Sequence, residues 1–123
     1  MNQDIVRGIS KLKLEQILEN VPATAGSPVL TEKLADIYDA LGKPSSAIIA
    51  WQNALKLKPS PQQRIRIRRI LGEKLLAQER KADAIDNYKQ LLSEAPDYPG
   101  KSQIEEILKG LEQVDAETNT PAK

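Results

Sequence analysis

Between residues 34 and 59 the apolar positions recur with a helical period. Leu34, Tyr38 and Leu41 follow one another at steps of four and three, and Ala47, Trp51, Ala54 and Leu55 do the same a little later. Gly42 sits where a helix stop calls for a positive φ, and Pro44 fits the first turn of a new helix, where its missing N–H costs nothing. The pattern predicts a helical hairpin of residues 28–41 and 45–57, opened by a Ser27 cap with Pro28 in the first turn. A hairpin this short does not bury its apolar face unaided, so the rest of the chain must supply neighbours.

The pattern then repeats. Ala47, Trp51, Leu55 and Pro59 return as Ala84, Tyr88, Leu92 and Pro96, each 37 residues on (84 − 47). Leu30, Leu34, Ala35 and Tyr38 return at the same step as Ile67, Leu71, Gly72 and Leu75. A second hairpin is therefore predicted over 61–78 and 82–94, with Ser60 and Pro61 as cap and first turn. Backward, the step places Ser10, Leu14, Ile17, Leu18 and Pro22 under Ala47, Trp51, Ala54, Leu55 and Pro59. A fixed period in this range marks a stacked repeat array.

Ahead of the hairpins, residues 4–22 form a weaker helix, interrupted in pattern at Gly8 and matching the second helix of a hairpin that lacks its first. It is either a cap on the first hairpin or the interior of a longer array. The polar residues among 4–10 favour the cap. Residues 22–26 read as a linker and 97–100 as a turn. Ser102 and Glu105 have capping-box spacing, opening a last helix to about 114. Ile104, Ile107, Leu108 and Leu111 stripe one side of it, while Glu105, Glu106, Lys109, Glu112 and Gln113 occupy the other. The polar end, 116–123, reads as a flexible tail.

Leu34, Ala35, Tyr38, Gly42, Ala47, Trp51, Ala54 and Pro59, followed by Leu71, Gly72, Leu75, Ala84, Tyr88, Leu91 and Pro96, resemble the tetratricopeptide repeat (TPR) over residues 27–98. Three features depart from that pattern. Thr31 and Arg68 stand where the family often has Trp, Glu79 stands where a turn glycine is usual, and the period exceeds the usual 34. The resemblance implies an all-α, right-handed α–α solenoid of about six helices stacked as antiparallel hairpins. It divides a single domain of 1–115 into a half-repeat at 4–22, repeats at 28–61 and 62–98, and a capping helix at 101–114.

Composition narrows the chemistry. The chain of 123 residues holds one Trp, three Tyr and no Phe, so Leu, Ile and Ala must carry most of the burial. With no cysteine there is no disulfide or thiolate chemistry, and with no histidine the commonest general base and metal ligand are missing. No catalytic, metal-binding or cofactor-binding residues are assigned. A net charge of +1 favours neither a nucleic-acid nor a membrane-surface partner. No run is long and apolar enough for a membrane span or a signal peptide, so no membrane insertion is expected and a cytoplasmic setting is favoured.

The resemblance also implies where a partner would lie, since the first helices of successive TPR hairpins line a concave groove. Carried over by position, the groove residues are Glu32, Asp36 and Asp39 from the first hairpin. Arg66, Arg69, Glu73 and Leu76 come from the second, with Glu105 and Lys109 beyond. The competing reading is a solvated face whose charges pair weakly among themselves. One TPR subclass grips a C-terminal carboxylate with basic and amide residues. Glu32 and Asp36 occupy the corresponding positions here, so that subclass is disfavoured. Residues 64–70 (RIRIRRI) form the densest basic patch, but on a helix its arginines fan out and lack the flanking aromatics of a nucleic-acid stripe.

The function expected is therefore a non-catalytic adaptor that holds a protein or peptide in its groove. A self-associating scaffold is the alternative, with nucleic-acid binding through 64–70 behind it. All of these need Trp51 and Tyr88 inside the fold. Trp51→Ala should lower stability by about 3–5 kcal/mol in thermal or denaturant unfolding.

Overall fold

The computed structural model describes Leu12 and residues 26–118, with side chains from 26 to 113. Among the described residues there are five helices and no strand: α1 (Pro28–Ala40), α2 (Pro44–Lys56), α3 (Pro61–Ala77), α4 (Lys81–Glu94) and α5 (Lys101–Thr118). The expected half-repeat helix at 4–22 and most of the linker at 22–26 lie outside the described residues, apart from Leu12, which is helical.

The chain divides into two compact units, residues 1–67 and 68–123. In the first, α1 packs against α2. Its core is Ala35, Ala47, Ile48, Ala50, Trp51 and Ala54, joined by Ile67 from α3. Four of these are alanines, which leave room for helix axes to approach and for one large ring to fill the space. In the second unit, α4 packs against α5. Leu71, Leu75, Ala84, Tyr88, Leu91, Ile104 and Leu108 are buried there. The Tyr88 ring lies on the backbone of α3 at Gly72, where an added Cβ would stand 2.6 Å from its Cε1 and 2.7 Å from its hydroxyl. Glycine is required at 72 by this close approach. Trp51 and Tyr88 are both interior, at 1 % and 2 % exposure.

Local chemistry sets the helix limits. Ser27 is extended, and its hydroxyl accepts from the Leu30 N–H at 3.1 Å, with Pro28 at the first position. Ser60 caps α3 in the same way, accepting from the Gln63 N–H at 3.1 Å ahead of Pro61. At the other end of α1, Lys43 N–H donates to Tyr38 O at 2.9 Å and Gly42 N–H to Asp39 O at 3.0 Å. With Gly42 at φ +73° this is a Schellman stop. At the end of α3 the same pair recurs as Arg80 N–H to Leu75 O (2.8 Å) and Glu79 N–H to Leu76 O (3.0 Å), with Glu79 at φ +59°. The residue that departs from the repeat pattern thus takes the glycine's conformation without being glycine.

Two expectations are corrected at the last helix. Ser102 does not cap it, because the preceding turn closes with Lys101 N–H donating to Tyr98 O (3.0 Å) and helical bonding starts with Ile104 N–H donating to Gly100 O (3.1 Å). Helix α5 therefore begins at Lys101, with Ser102 inside it. It also runs past 114 to Thr118, since Asp115, Ala116 and Glu117 include no helix breaker. Residues 116–118 of the expected tail are helical, and 119–123 lie outside the described residues.

The two stops make a paired prediction. Glu79→Gly should raise stability by up to about 1 kcal/mol, since relief of the left-handed strain exceeds the added chain entropy. Gly42→Ala should lower it by about 1 kcal/mol. Chemical denaturation of both variants against the parent chain checks the signs.

Candidate functional site

Of the residues assigned to a groove, the first unit brings Glu32, Asp36 and Arg66 together. Residues 32, 36 and 39 recur along α1 at helical steps, and residues 63 and 66 lie on the opening turns of α3. Arg66 grips Glu32 with two parallel bonds, Nε to Oε2 at 2.8 Å and Nη2 to Oε1 at 2.7 Å. Gln63 Nε2 donates to the same Oε1 at 3.0 Å and to the Pro28 carbonyl at 3.0 Å. Glu32 is 3 % exposed, whereas the Arg66 side chain is half open to solvent at 49 %. The weakly paired solvated face therefore does not describe Glu32, whose carboxylate is saturated and buried. A bidentate, charge-assisted pair of this kind fixes the spacing and angle of its two helices as much as it stabilises them.

One turn on from Glu32, Asp36 is half-buried, and its Oδ2 has no hydrogen-bond partner among the described residues. Burial, reinforced by the neighbouring Glu32 charge, pushes its carboxyl up from 3.8 to about 6. Burial also pushes Glu32 upward. There, however, the hydrogen bonds from Arg66 and Gln63, with the Arg66 charge, outweigh it and hold the carboxyl below its ordinary 4.5. Two adjacent carboxylates are thus driven apart, one kept ionised by a dedicated guanidinium and the other left to take up a proton. Asp39 is half-buried on the same helix.

Arg69, Glu73 and Leu76 belong to the second unit, on the continuation of α3. Arg69 and Glu73 are exposed and Leu76 is half-buried, and 66, 69, 73 and 76 follow one another at steps of three and four. Glu105 and Lys109 are exposed on α5.

A site of a different kind was missed in the sequence. Arg68 is 8 % exposed and grips Glu94 with Nε to Oε1 at 2.8 Å and Nη2 to Oε2 at 2.9 Å. It also donates from Nη1 to Asn87 Oδ1 (3.2 Å) and from Nη2 to Gln90 Oε1 (3.1 Å). Asn87 Nδ2 returns a bond to the Arg68 carbonyl at 2.6 Å. This network ties α3 to α4 within the second unit. Arg68 belongs to the basic run 64–70, but it is spent on internal bonds. With Arg66 also paired, the run RIRIRRI presents far less free charge than its composition suggests. The signal was present in the departure from the repeat pattern: an arginine at an inward position demands a carboxylate and amide partners.

No group of three or more acidic side chains is placed to hold a metal ion among the described residues, and none of their helices is long and apolar enough to cross a membrane.

The pKa directions give a signed prediction. Asp36, raised in the fold, favours the folded state increasingly as pH falls from about 6 toward 3.8, and works against it above about 6. Glu32, lowered in the fold, supports stability above 4.5, and its contribution is lost as pH falls below that. Asp36→Asn should therefore raise the melting temperature at neutral pH and remove the gain on mild acidification. Arg66→Ala should cost on the order of 2 kcal/mol by leaving the buried Glu32 charge unpaired. Melting temperatures of both variants across pH 4 to 8 decide the matter. Set beside known proteins, this chain matches no protein-family model, no curated protein and no solved structure.

Proposed function

We propose that the chain is a non-catalytic interaction module of the tetratricopeptide-repeat type, which holds a segment of a protein partner against the first helices of its hairpins. The observation that carries this reading is the recurrence of one local design at a step of 37. Gly42 and Glu79 stop their helices with the same hydrogen-bond pair, and Trp51 and Tyr88 both lie in the interior. Stacked helical hairpins offer rigid, shallow faces rather than enclosed pockets, and such faces bind extended or helical segments.

The charged side chains favour a partner segment that carries both signs. Asp36 is half-buried on α1 with its Oδ2 unpartnered among the described residues, and Arg69 and Glu73 stand exposed on α3. Arg66 belongs to the fold first and to any partner second, because its guanidinium already holds Glu32. Nucleic-acid binding loses support for the same reason, since Arg66 and Arg68 are neutralised by Glu32 and Glu94.

The discriminating experiment uses exposed positions and leaves Arg66 intact. A partner is first identified by affinity capture with cross-linking and mass spectrometry. Arg69→Glu with Glu73→Lys should then weaken its binding by roughly ten-fold while circular dichroism stays unchanged, since rim charges act on binding rather than on the fold. Unchanged affinity would remove the first-helix face from the reading. Sedimentation across concentration that showed only self-association would replace the adaptor with the scaffold.

A further inference from the structure

Within the first unit, the contact between α1 and α3 leaves one donor and one acceptor over. Arg66 spends Nε and Nη2 on Glu32, and its Nη1 has no partner among the described residues. Asp36 stands one turn along α1 from Glu32, and its buried Oδ2 is unpartnered among the same residues. Glu32 itself is saturated, with Arg66 and Gln63 both donating to Oε1 and Arg66 also to Oε2. Asp36 and Arg66 each lie within the field of the other's charge.

We propose that Asp36 is a second seat for the Arg66 guanidinium, taken up when Asp36 is ionised and given up when it is protonated. The link between α1 and α3 in the first unit is then operated by a proton. With Asp36 neutral, the guanidinium sits on Glu32 alone, which is the arrangement in the structure. Loss of the Asp36 proton to solvent places a second negative charge one turn from the first, with its Oδ2 away from water. A buried charge without a hydrogen-bond partner is far costlier than a neutral group left unpaired. Arg66 answers it by turning a spare N–H toward Asp36, since its side chain is half open to solvent and its donors fan out in one plane. Sharing loosens the two-bond geometry on Glu32, so the hold on α1 passes from one carboxylate to two.

The surroundings single out Arg66. The other charges that Asp36 feels, those of Glu32, Lys33 and Asp39, all belong to its own helix. Two of them are carboxylates, which oppose its ionisation. Lys33 is the competing cation, but it is exposed on α1, so a pair with it leaves α3 out. On α2, which packs against α1, the one titratable side chain is Lys56 at the last residue. On α3, Arg64 stands two residues before Arg66 and therefore on a different side of the helix. Burial brings the proton loss of Asp36 to about 6, so the exchange falls in a mild range of pH. The inference uses only contacts inside the first unit and stands whether or not a partner binds.

The test is a side-chain NMR titration of the full-length chain between pH 4.5 and 8. The carboxyl carbons of Asp36 and Glu32 and the guanidinium nitrogens of Arg66 are followed together. The Arg66 nitrogens should shift in step with the Asp36 carboxyl, at one midpoint near 6. A coupling transmitted through a hydrogen bond, from an Arg66 Nη to the Asp36 carboxyl carbon, should appear above that midpoint and be absent below it. In Asp36→Asn, with the fold confirmed by circular dichroism, the step in the Arg66 nitrogens should vanish. Titration of Asp36 with no such coupling to Arg66 overturns the proposal, and the parent chain decides this even if the variant does not fold. A step in Arg66 that persists in Asp36→Asn also overturns it. A coupling from the Lys33 Nζ in place of Arg66 overturns it in favour of a pair confined to α1.

Discussion

Tyr88 lies so close to the α3 backbone that the residue beneath its ring has no side chain at all. That contact sets the distance between α3 and α4 within the second unit, and with it the positions of everything else those helices carry. Leu71, Leu75 and Leu91 then close the interior, and Asn87 comes within 2.6 Å of the Arg68 carbonyl. In the first unit the corresponding positions hold Ala35 and Trp51, both buried. In both units a large ring and a small residue 16 positions earlier are buried (88 − 72 and 51 − 35). Packing at native density leaves little freedom to exchange one member without the other.

Helix α3 carries two arginine–carboxylate grips of opposite character. Arg66 reaches out from an exposed position to a buried partner, so its other side stays available to solvent. Arg68 is itself buried, and Glu94 is the more open partner. Desolvating such pairs is costly, and their net contribution to stability is smaller than their short distances suggest. What they impose is geometry: a planar guanidinium satisfied at several nitrogens admits few alternative arrangements of the helices that supply its acceptors. Arg69 and Glu73 are exposed and are the better probes of recognition.

Most of the local architecture was legible in the amino-acid order. The helical periods, the Ser27–Pro28 and Ser60–Pro61 openings, the Gly42 stop and the interior rings all depend on interactions within a few residues or on a strong two-part pattern. Glu79 was visible as an anomaly, and it adopts the conformation its neighbours demand. The last helix starts at Lys101 without the Ser102 cap and runs four residues past its expected end at 114 (118 − 114). A turn bond from Lys101 to Tyr98, reinforced by the Tyr98 ring packed against Gly100, outcompeted a reasonable capping box.

The roles of individual charges were decided only in three dimensions. Glu32 and Arg66, and likewise Arg68 and Glu94, are far apart in the chain, and no local rule couples them. Whether an arginine on an amphipathic helix serves a ligand, the solvent or a distant carboxylate depends on which helix packs beside it. The sequence by itself therefore determined the two hairpins between 28 and 94, most of their limits and their interior rings, because those follow from short-range sterics and periodic burial. Tertiary packing alone decided which charges are buried and paired and which remain exposed, because electrostatic partnership depends on distance in space and on exclusion of water.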